Sequence, residues 1–220
     1  MSEIKEIKEI KEIKEIKEIK KEKIFTNARI EATCFNSGQL IPEDINIQEI
    51  AVAGRSNVGK SSLINALLNA KLAKTGQTPG KTRSINFYRV ESPKVIFRLV
   101  DLPGYGYAKR SRDERNEWQR LISAYMRNRE SLRLVLHLVD FRHGLLKNDR
   151  DLQEWIRAEG KNIFVVFTKA DKIAKGKWKT TRDLYIRDGL YSYDVPVITS
   201  AEKKEGIDSL GEFLIKFLEM

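Results

Sequence analysis

From Ile24 onward, short apolar runs alternate with longer stretches of helical period. Continuous apolar runs lie at Ile50–Ala53, Ile85–Val90, Val95–Val100, Leu132–Val139, Ile163–Phe167 and Val195–Thr199. Between several of them, apolar residues recur at helical spacing over Lys60–Asn69, Asp113–Asn128, Lys147–Glu159, Trp178–Asp188 and Ile207–Leu218. Strands that are apolar along their whole length must be covered on both faces. The pattern therefore predicts an α/β fold, a mostly parallel six-stranded sheet with helices on both faces. Ile85–Val90 and Val95–Val100 are joined only by Glu91-Ser92-Pro93-Lys94, too short for a crossover. They predict a hairpin, and so one antiparallel edge strand.

The first 23 residues follow a different rule. Residues 3–20 repeat Glu-Ile-Lys six times, with isoleucine at 4, 7, 10, 13, 16 and 19. A spacing of three slips roughly 60° per step around an α-helix, so these isoleucines spiral and form no stripe. A coiled-coil seam needs an average spacing near 3.5 residues. The charges add little, since Glu3 and Glu6 are like charges at i,i+3 and Lys5–Glu9 pair in the weaker order. Residues 1–23 are read as a low-complexity extension, dispensable for nucleotide binding, and residues 24–220 as the folded domain.

Composition narrows the class. The chain of 220 residues suits one sizeable core, and no apolar run reaches the length of a membrane span. With no apolar leader, a cytoplasmic, monomeric protein without stable membrane insertion is expected. The single cysteine, Cys34, and two histidines, His137 and His143, exclude an internal disulfide and a structural zinc site. The formal charge is +10. Residues 1–23 hold eight lysines and seven glutamates, so a net +9 belongs to the domain itself. Such an excess suits either a polyanionic partner, RNA first, or plain solubility.

Chemistry enters at the strand ends. After the apolar run at Ile50–Ala53 comes Gly54-Arg55-Ser56-Asn57-Val58-Gly59-Lys60-Ser61, the pattern G-x-x-x-x-G-K-[ST] opening a helix. In that context backbone N–H groups and the helix N-terminus cradle a phosphate chain. Lys60 is placed to reach the β- and γ-phosphates, and the Ser61 hydroxyl to bind Mg²⁺. Strand Val95–Val100 ends in Asp101-Leu102-Pro103-Gly104, a carboxylate for the Mg²⁺ hydration shell and a glycine N–H for the γ-phosphate. Between them Thr75–Ser84, TGQTPGKTRS, reads as a switch segment, with Thr82 the best hydroxyl for Mg²⁺ and Thr78 the runner-up. Strand Ile163–Phe167 ends in Thr168-Lys169-Ala170-Asp171. The Asp171 carboxylate can accept from guanine N1–H and its exocyclic amine together, which adenine cannot offer. The Lys169 stem can lie along the base, and Thr199-Ser200-Ala201 can close over its O6.

The order GRSNVGKSS, TPGKT, DLPGYGYAK, TKAD, TSA is similar to the Era/EngA/EngB branch of bacterial translation-factor-class P-loop GTPases. DLPGYGYAK, with NRESLRLVLHLVDFRHG over Asn128–Gly144, resembles the EngB (YihA/YsxC) type in particular, and the likeness runs from about Ile24 to Met220. It implies a Ras-like GTPase domain that binds GTP and GDP and serves large ribosomal subunit assembly, with an association with cell division and septation in some bacteria. Carried over by residue, GTP contacts fall on Gly54–Ser61, on Gly80, Lys81, Thr82, Arg83 and Ser84, on Asp101–Gly104, on Thr168–Asp171, and on Thr199–Ala201. Mg²⁺ falls on Ser61 and Thr82.

One catalytic part is missing. Ras-like GTPases keep a water-orienting glutamine just after the DxxG glycine, and here that residue is Tyr105. Slow hydrolysis is expected, carried by Lys60, Gly104 and Asn57. In related GTPases an asparagine at the Asn57 position helps bind a K⁺ ion that bridges the phosphates; otherwise Asn57 only shapes the loop. His137, inside an apolar strand, reads as a satisfied core histidine, His143 as structural, and Trp118 and Trp155 as packing. Lys109-Arg110-Ser111-Arg112, directly after Tyr107 and Ala108, is either an RNA contact or a solvated helix lead-in. A small-molecule kinase lacks any visible acceptor site, and a division-machinery adaptor acting through the repeat remains the other reading.

Overall fold

The computed structural model describes residues 24–75, 84–105, 112–127 and 129–220. Seven strands form one sheet: β1 (Asn27–Cys34), β2 (Glu49–Gly54), β3 (Ile85–Glu91), β4 (Ile96–Asp101), β5 (Leu132–Asp140), β6 (Asn162–Thr168) and β7 (Val197–Ile198). Among the described residues five α-helices accompany them: α1 (Lys60–Leu68), α2 (Arg112–Met126), α3 (Lys147–Ala158), α4 (Trp178–Arg187) and α5 (Ile207–Leu218). The spatial order is β1-β3-β4-β2-β5-β6-β7. The pairs β4·β2, β2·β5, β5·β6 and β6·β7 are parallel.

Alternation along the central strands assigns the two faces. Ile50, Val52, Leu134, Leu136, Phe164 and Val166 pack toward α1 and α5, where Leu63, Ile64, Leu210 and Leu214 are buried. Ala51, Ala53, Val135, Val139, Val165 and Phe167 pack toward α2, α3 and α4 through Tyr125, Ile156 and Tyr185. Small alanines on β2 admit the bulkier second layer. Burying both faces explains why these strands read as unbroken apolar runs. α5 sits on the first face with its Phe213 ring stacked 3.8 Å from that of Phe164.

The fold class is the expected one, with three corrections in detail. The sheet has seven strands where six were expected, because Asn27–Cys34 was not recognised as a strand. Its side chains are mostly exposed, and its conformation comes from antiparallel pairing with β3 and from ties such as Arg29–Glu91 at 2.9 Å. β3 and β4 do form the hairpin, but β3 is then second from the edge, and it is the strand that runs against its neighbours. The last strand keeps only Val197–Ile198 of the expected Val195–Thr199, since Pro196 has no N–H to enter the ladder.

Among the described residues no helix is long and apolar enough to cross a membrane. At the N-terminal ends of the strands, Glu49 is fully buried and accepts from Arg129 at 2.7 and 2.8 Å and from Tyr125 Oη at 3.0 Å. Arg98 joins it at 3.4 Å and is gripped in turn by both oxygens of Glu31. The opposite ends of β2, β4, β5 and β6 converge where the motifs lie. Ligands of open α/β sheets bind outside those carboxyl ends.

Candidate nucleotide site

β2 runs straight into the loop Gly54–Gly59 and then α1. The turn needs two left-handed residues, Asn57 at φ +64° and Gly59 at φ +104°. Asparagine tolerates that region better than most side chains, and glycine enters it freely. Leu63 N–H closes the first intrahelical bond on Gly59 O at 2.9 Å. The N–H groups of Lys60, Ser61 and Ser62 thus precede the hydrogen-bonded helix and are available at its positive end. Lys60 is buried and its ammonium pairs with Asp101 at the end of β4.

The neighbouring loop packs tightly on this one. A Cβ on Gly104 would come within 3.1 Å of Ser56 N and Oγ, so only glycine lets the two loops approach this closely. Ser56 N–H donates to Tyr105 O at 2.9 Å, and the Trp118 indole donates to Pro103 O at 3.0 Å. Trp118 therefore does more than pack.

The Thr168–Asp171 segment is bolted to the phosphate loop. Thr168 Oγ1 donates to Val58 O at 2.7 Å, and Lys169 Nζ donates to Asn57 O at 2.6 Å. Asp171 accepts from Ser200 Oγ at 2.7 Å through one oxygen and faces Lys172 Nζ at 3.0 Å through the other. Burial works against the Asp171 charge, but these two partners win and hold its carboxyl below the ordinary range. Ala170 N–H donates to Thr199 O at 3.1 Å, which ties the Thr199–Ala201 loop to the Thr168–Asp171 segment. A cavity of about 620 Å³ opens here, lined by Gly59, Arg142, Thr168, Lys169, Asp171 and Ala201 among others. That is roomy enough for a nucleoside.

Arg142 in that wall was not foreseen. Asp140, at the end of β5, grips Arg142 at 2.9 and 2.7 Å and Lys169 at 3.2 Å. Burial alone would raise the Asp140 carboxyl, yet these cations pull it down to about 2. The sequence signal was the Asp140–Gly144 run, whose His143 side chain is exposed.

Arg55 and Tyr105 also differ from expectation in what their side chains do. The Arg55 guanidinium lies 3.2 Å from Asp149 on α3, so its part in binding a nucleotide would fall to its backbone. The Tyr105 ring is buried, with its hydroxyl 2.7 Å from both His137 Nε2 and Asp149 Oδ1. His137 is the satisfied core histidine expected. Ser84 is buried at the head of β3, 3.4 Å from Asn86 Oδ1. Cys34 is buried, and burial pushes its thiol up, away from reactivity. Thr78, Gly80, Lys81, Thr82, Arg83, Tyr107, Lys109, Arg110, Ser111 and the Glu-Ile-Lys repeat lie outside the described residues.

The oxygen donors suit Mg²⁺. A hydroxyl on the first turn of α1 and a strand-end carboxylate beside Lys60 are hard ligands, and too few to enclose the ion. Mg²⁺ typically takes one or two protein oxygens and fills the rest with water and phosphate. Among the described residues no group of three or more His, Cys, Asp or Glu side chains makes an all-protein metal cage.

Residues 49–169 match a family model described as 50S ribosome-binding GTPase. The chain is 44% identical over 174 residues to the GTP-binding protein EngB of Syntrophomonas wolfei, covering 79% of this chain and 88% of that one. Among solved structures, it superimposes on Aquifex aeolicus Era bound to GDP and AlF₄⁻ with a TM-score of 0.66 and 24% identity, over 78% of this chain and 57% of that one. A crystal structure of an EngB protein gives 0.62 and 22%, over 78% of this chain and 98% of that one. At those identities the structural likeness is one of fold.

Proposed function

The chain belongs to the EngB family of GTP-binding proteins and is a GTPase, and from that premise we propose that it is a slow guanine-nucleotide switch acting on the large ribosomal subunit. The observation that carries the guanine reading is a cavity lined by both Asp171 and Lys169 together with Gly59 of the phosphate loop, with Ser200 Oγ bonded to Asp171. The ribosomal part rests on the family description and on the net +9 of residues 24–220, which favours a polyanion. The working unit is residues 24–220, monomeric and cytoplasmic, with residues 1–23 dispensable for nucleotide binding.

The roles follow from placement. Lys60 neutralises the β- and γ-phosphates, breaking its pair with Asp101 as it does so. Ser61 and Thr82 would hold Mg²⁺, with the Asp101 carboxylate nearby to support it; the ion, when bound, would shield the charge that builds on the phosphate oxygens. Gly104 presents its N–H to the γ-phosphate. The Tyr105 hydroxyl is engaged in a buried network, so nothing at that position orients the attacking water, and intrinsic turnover is slow.

Asn57 is exposed on the left-handed turn of the phosphate loop, a position from which its amide oxygen can help hold K⁺ beside the phosphates. A cation there neutralises charge on the leaving group. GTP turnover should be roughly tenfold or more faster in K⁺ than in Na⁺ at equal ionic strength. Equal rates would leave Asn57 with loop shape alone.

Sedimentation with purified large subunits tests the switch reading. Comigration is expected with a non-hydrolysable GTP analogue and not with GDP. Free protein at the top of the gradient in both cases would overturn the ribosomal assignment.

A further inference from the structure

Guanine carries four polar groups on its two recognition edges, and the guanine reading gives three of them a partner. Asp171 suits N1–H and the exocyclic amine, and the Thr199–Ala201 loop suits O6. The fourth, N7, is a bare acceptor. An acceptor taken out of water without a donor weakens binding, so the cavity wall needs a donor for it.

Six side chains on that wall can donate: Ser62, Arg142, Thr168, Lys169, Lys172 and Thr199. Four of them are committed elsewhere. Thr168 Oγ1 gives its one proton to Val58 O at 2.7 Å, and Thr199 Oγ1 gives its own to Phe167 O at 2.8 Å. Lys169 Nζ is drawn to Asn57 O at 2.6 Å and to Asp140 Oδ2 at 3.2 Å. Lys172 Nζ turns to Asp171 at 3.0 Å and to Glu202 at 3.5 Å. That leaves Ser62, in the first turn of α1, and Arg142.

The Arg142 guanidinium is already aimed. Nε donates to Asp140 Oδ1 at 2.9 Å and Nη2 to Oδ2 at 2.7 Å, while the Arg142 backbone N–H donates to the same Oδ1 at 3.1 Å. Asp140 is itself buried at the end of β5, opposite Thr168 in the ladder. A bidentate fork uses one edge of the guanidinium plane and leaves both Nη1 protons over. No printed distance closer than these pairs any group with Nη1 among the described residues. Asp140 raises the Arg142 pKa above its ordinary value, and the Asp171 charge adds to it. The guanidinium therefore stands within electrostatic reach of the carboxylate that faces the other edge of the base.

We propose that Arg142, oriented by Asp140, is a specificity-determining residue of the pocket and donates from Nη1 to guanine N7. The proposal rests on the guanine reading of Asp171. Asp140 acts as a positioning residue, because its Oδ2 serves Lys169 and Arg142 together. A lysine at 142 would keep the charge but lose the planar fork that fixes its direction. Adenine also carries N7, so Arg142 selects purines, and Asp171 then separates guanine from adenine.

The test titrates GDP and 7-deazaguanosine diphosphate, in which C–H replaces N7, against the full chain and its Arg142→Met, Ser62→Ala and Asp171→Asn variants. The parent should prefer GDP by roughly tenfold or more, the share of one hydrogen bond from a charged donor. Arg142→Met should bring the two affinities within about twofold of each other, and Ser62→Ala should keep the parent's ratio. The ratio decides the matter, because a pocket that has merely loosened weakens both nucleotides alike. A parent that binds the two equally would overturn the proposal, and so would an Arg142→Met variant that keeps the preference. Loss of the preference in Ser62→Ala alone would move the contact to α1. Asp171→Asn separates the premise: if it keeps the parent's GDP affinity, the guanine reading fails first. If it loses GDP while Arg142→Met keeps the preference, only the N7 contact fails.

Discussion

Asp171→Asn should cost this protein its GTP and give it xanthosine triphosphate. The carboxylate is oriented by Ser200 Oγ at 2.7 Å and kept ionised by Lys172, so it meets guanine as a pure acceptor. Guanine offers two donors, N1–H and the exocyclic amine. Each hydrogen bond to a charged group contributes about 1.5–3 kcal/mol, and the asparagine amide sets a donor against one of those donors. Losing the pair lowers GTP affinity roughly 10²- to 10⁴-fold. Xanthine carries an oxygen in place of the amine, which the amide can satisfy, so its triphosphate should bind the variant better than GTP does. Titration of both nucleotides against parent and variant checks this, and an unchanged GTP affinity would remove Asp171 from the role of guanine reader.

Glu49→Ala should produce the largest loss of stability. Glu49 is the buried acceptor for the guanidinium of Arg129 and for Tyr125 Oη, and it also faces Arg98 at 3.4 Å. Arg129 has little else: Ile41 O at 3.3 Å and the faces of Phe87 and Tyr125 at 5.4 and 5.2 Å. Removing the carboxylate strands that buried charge, at a cost of about 3–5 kcal/mol. For a domain of this size the melting temperature should fall by roughly 6–20 °C. Glu49 begins β2 while the phosphate loop ends it, so GDP affinity of the folded variant should be unchanged. A melting temperature within about 2 °C of the parent would mean that Arg129 finds water when its partner is gone.

None of the three partners of Glu49 could be read from the chain, although the chain's motifs could. Lys60, Ser61, Asp101 and Asp171 each sit at the end of an apolar run, and the run and the motif are both local. α5 was bounded to the residue at Ile207–Leu218, since its buried positions recur at helical spacing throughout. β1 was missed for the converse reason. Asn-Ala-Arg-Ile-Glu-Ala-Thr-Cys carries no apolar run, and becomes a strand only because β3 offers it a ladder more than fifty residues away in sequence. Nothing local separates Arg142 from its neighbour His143, and only the cavity shows that Arg142 is the one lining it.

The sequence by itself determined the α/β layering, the strand ends where the motifs lie, and the family. All of these depend on patterns within one turn or one strand, where residue spacing dictates which side chains share a face. Only the tertiary structure decided what the polar side chains do. The Tyr105 hydroxyl faces His137 and Asp149 in place of the phosphates, Arg55 of the phosphate loop points away to α3, and Asp140 brackets Lys169 with Arg142. A buried polar group must find a partner, but which one it finds is set by strand order and helix placement across tens of residues. That choice leaves no periodic trace in the chain.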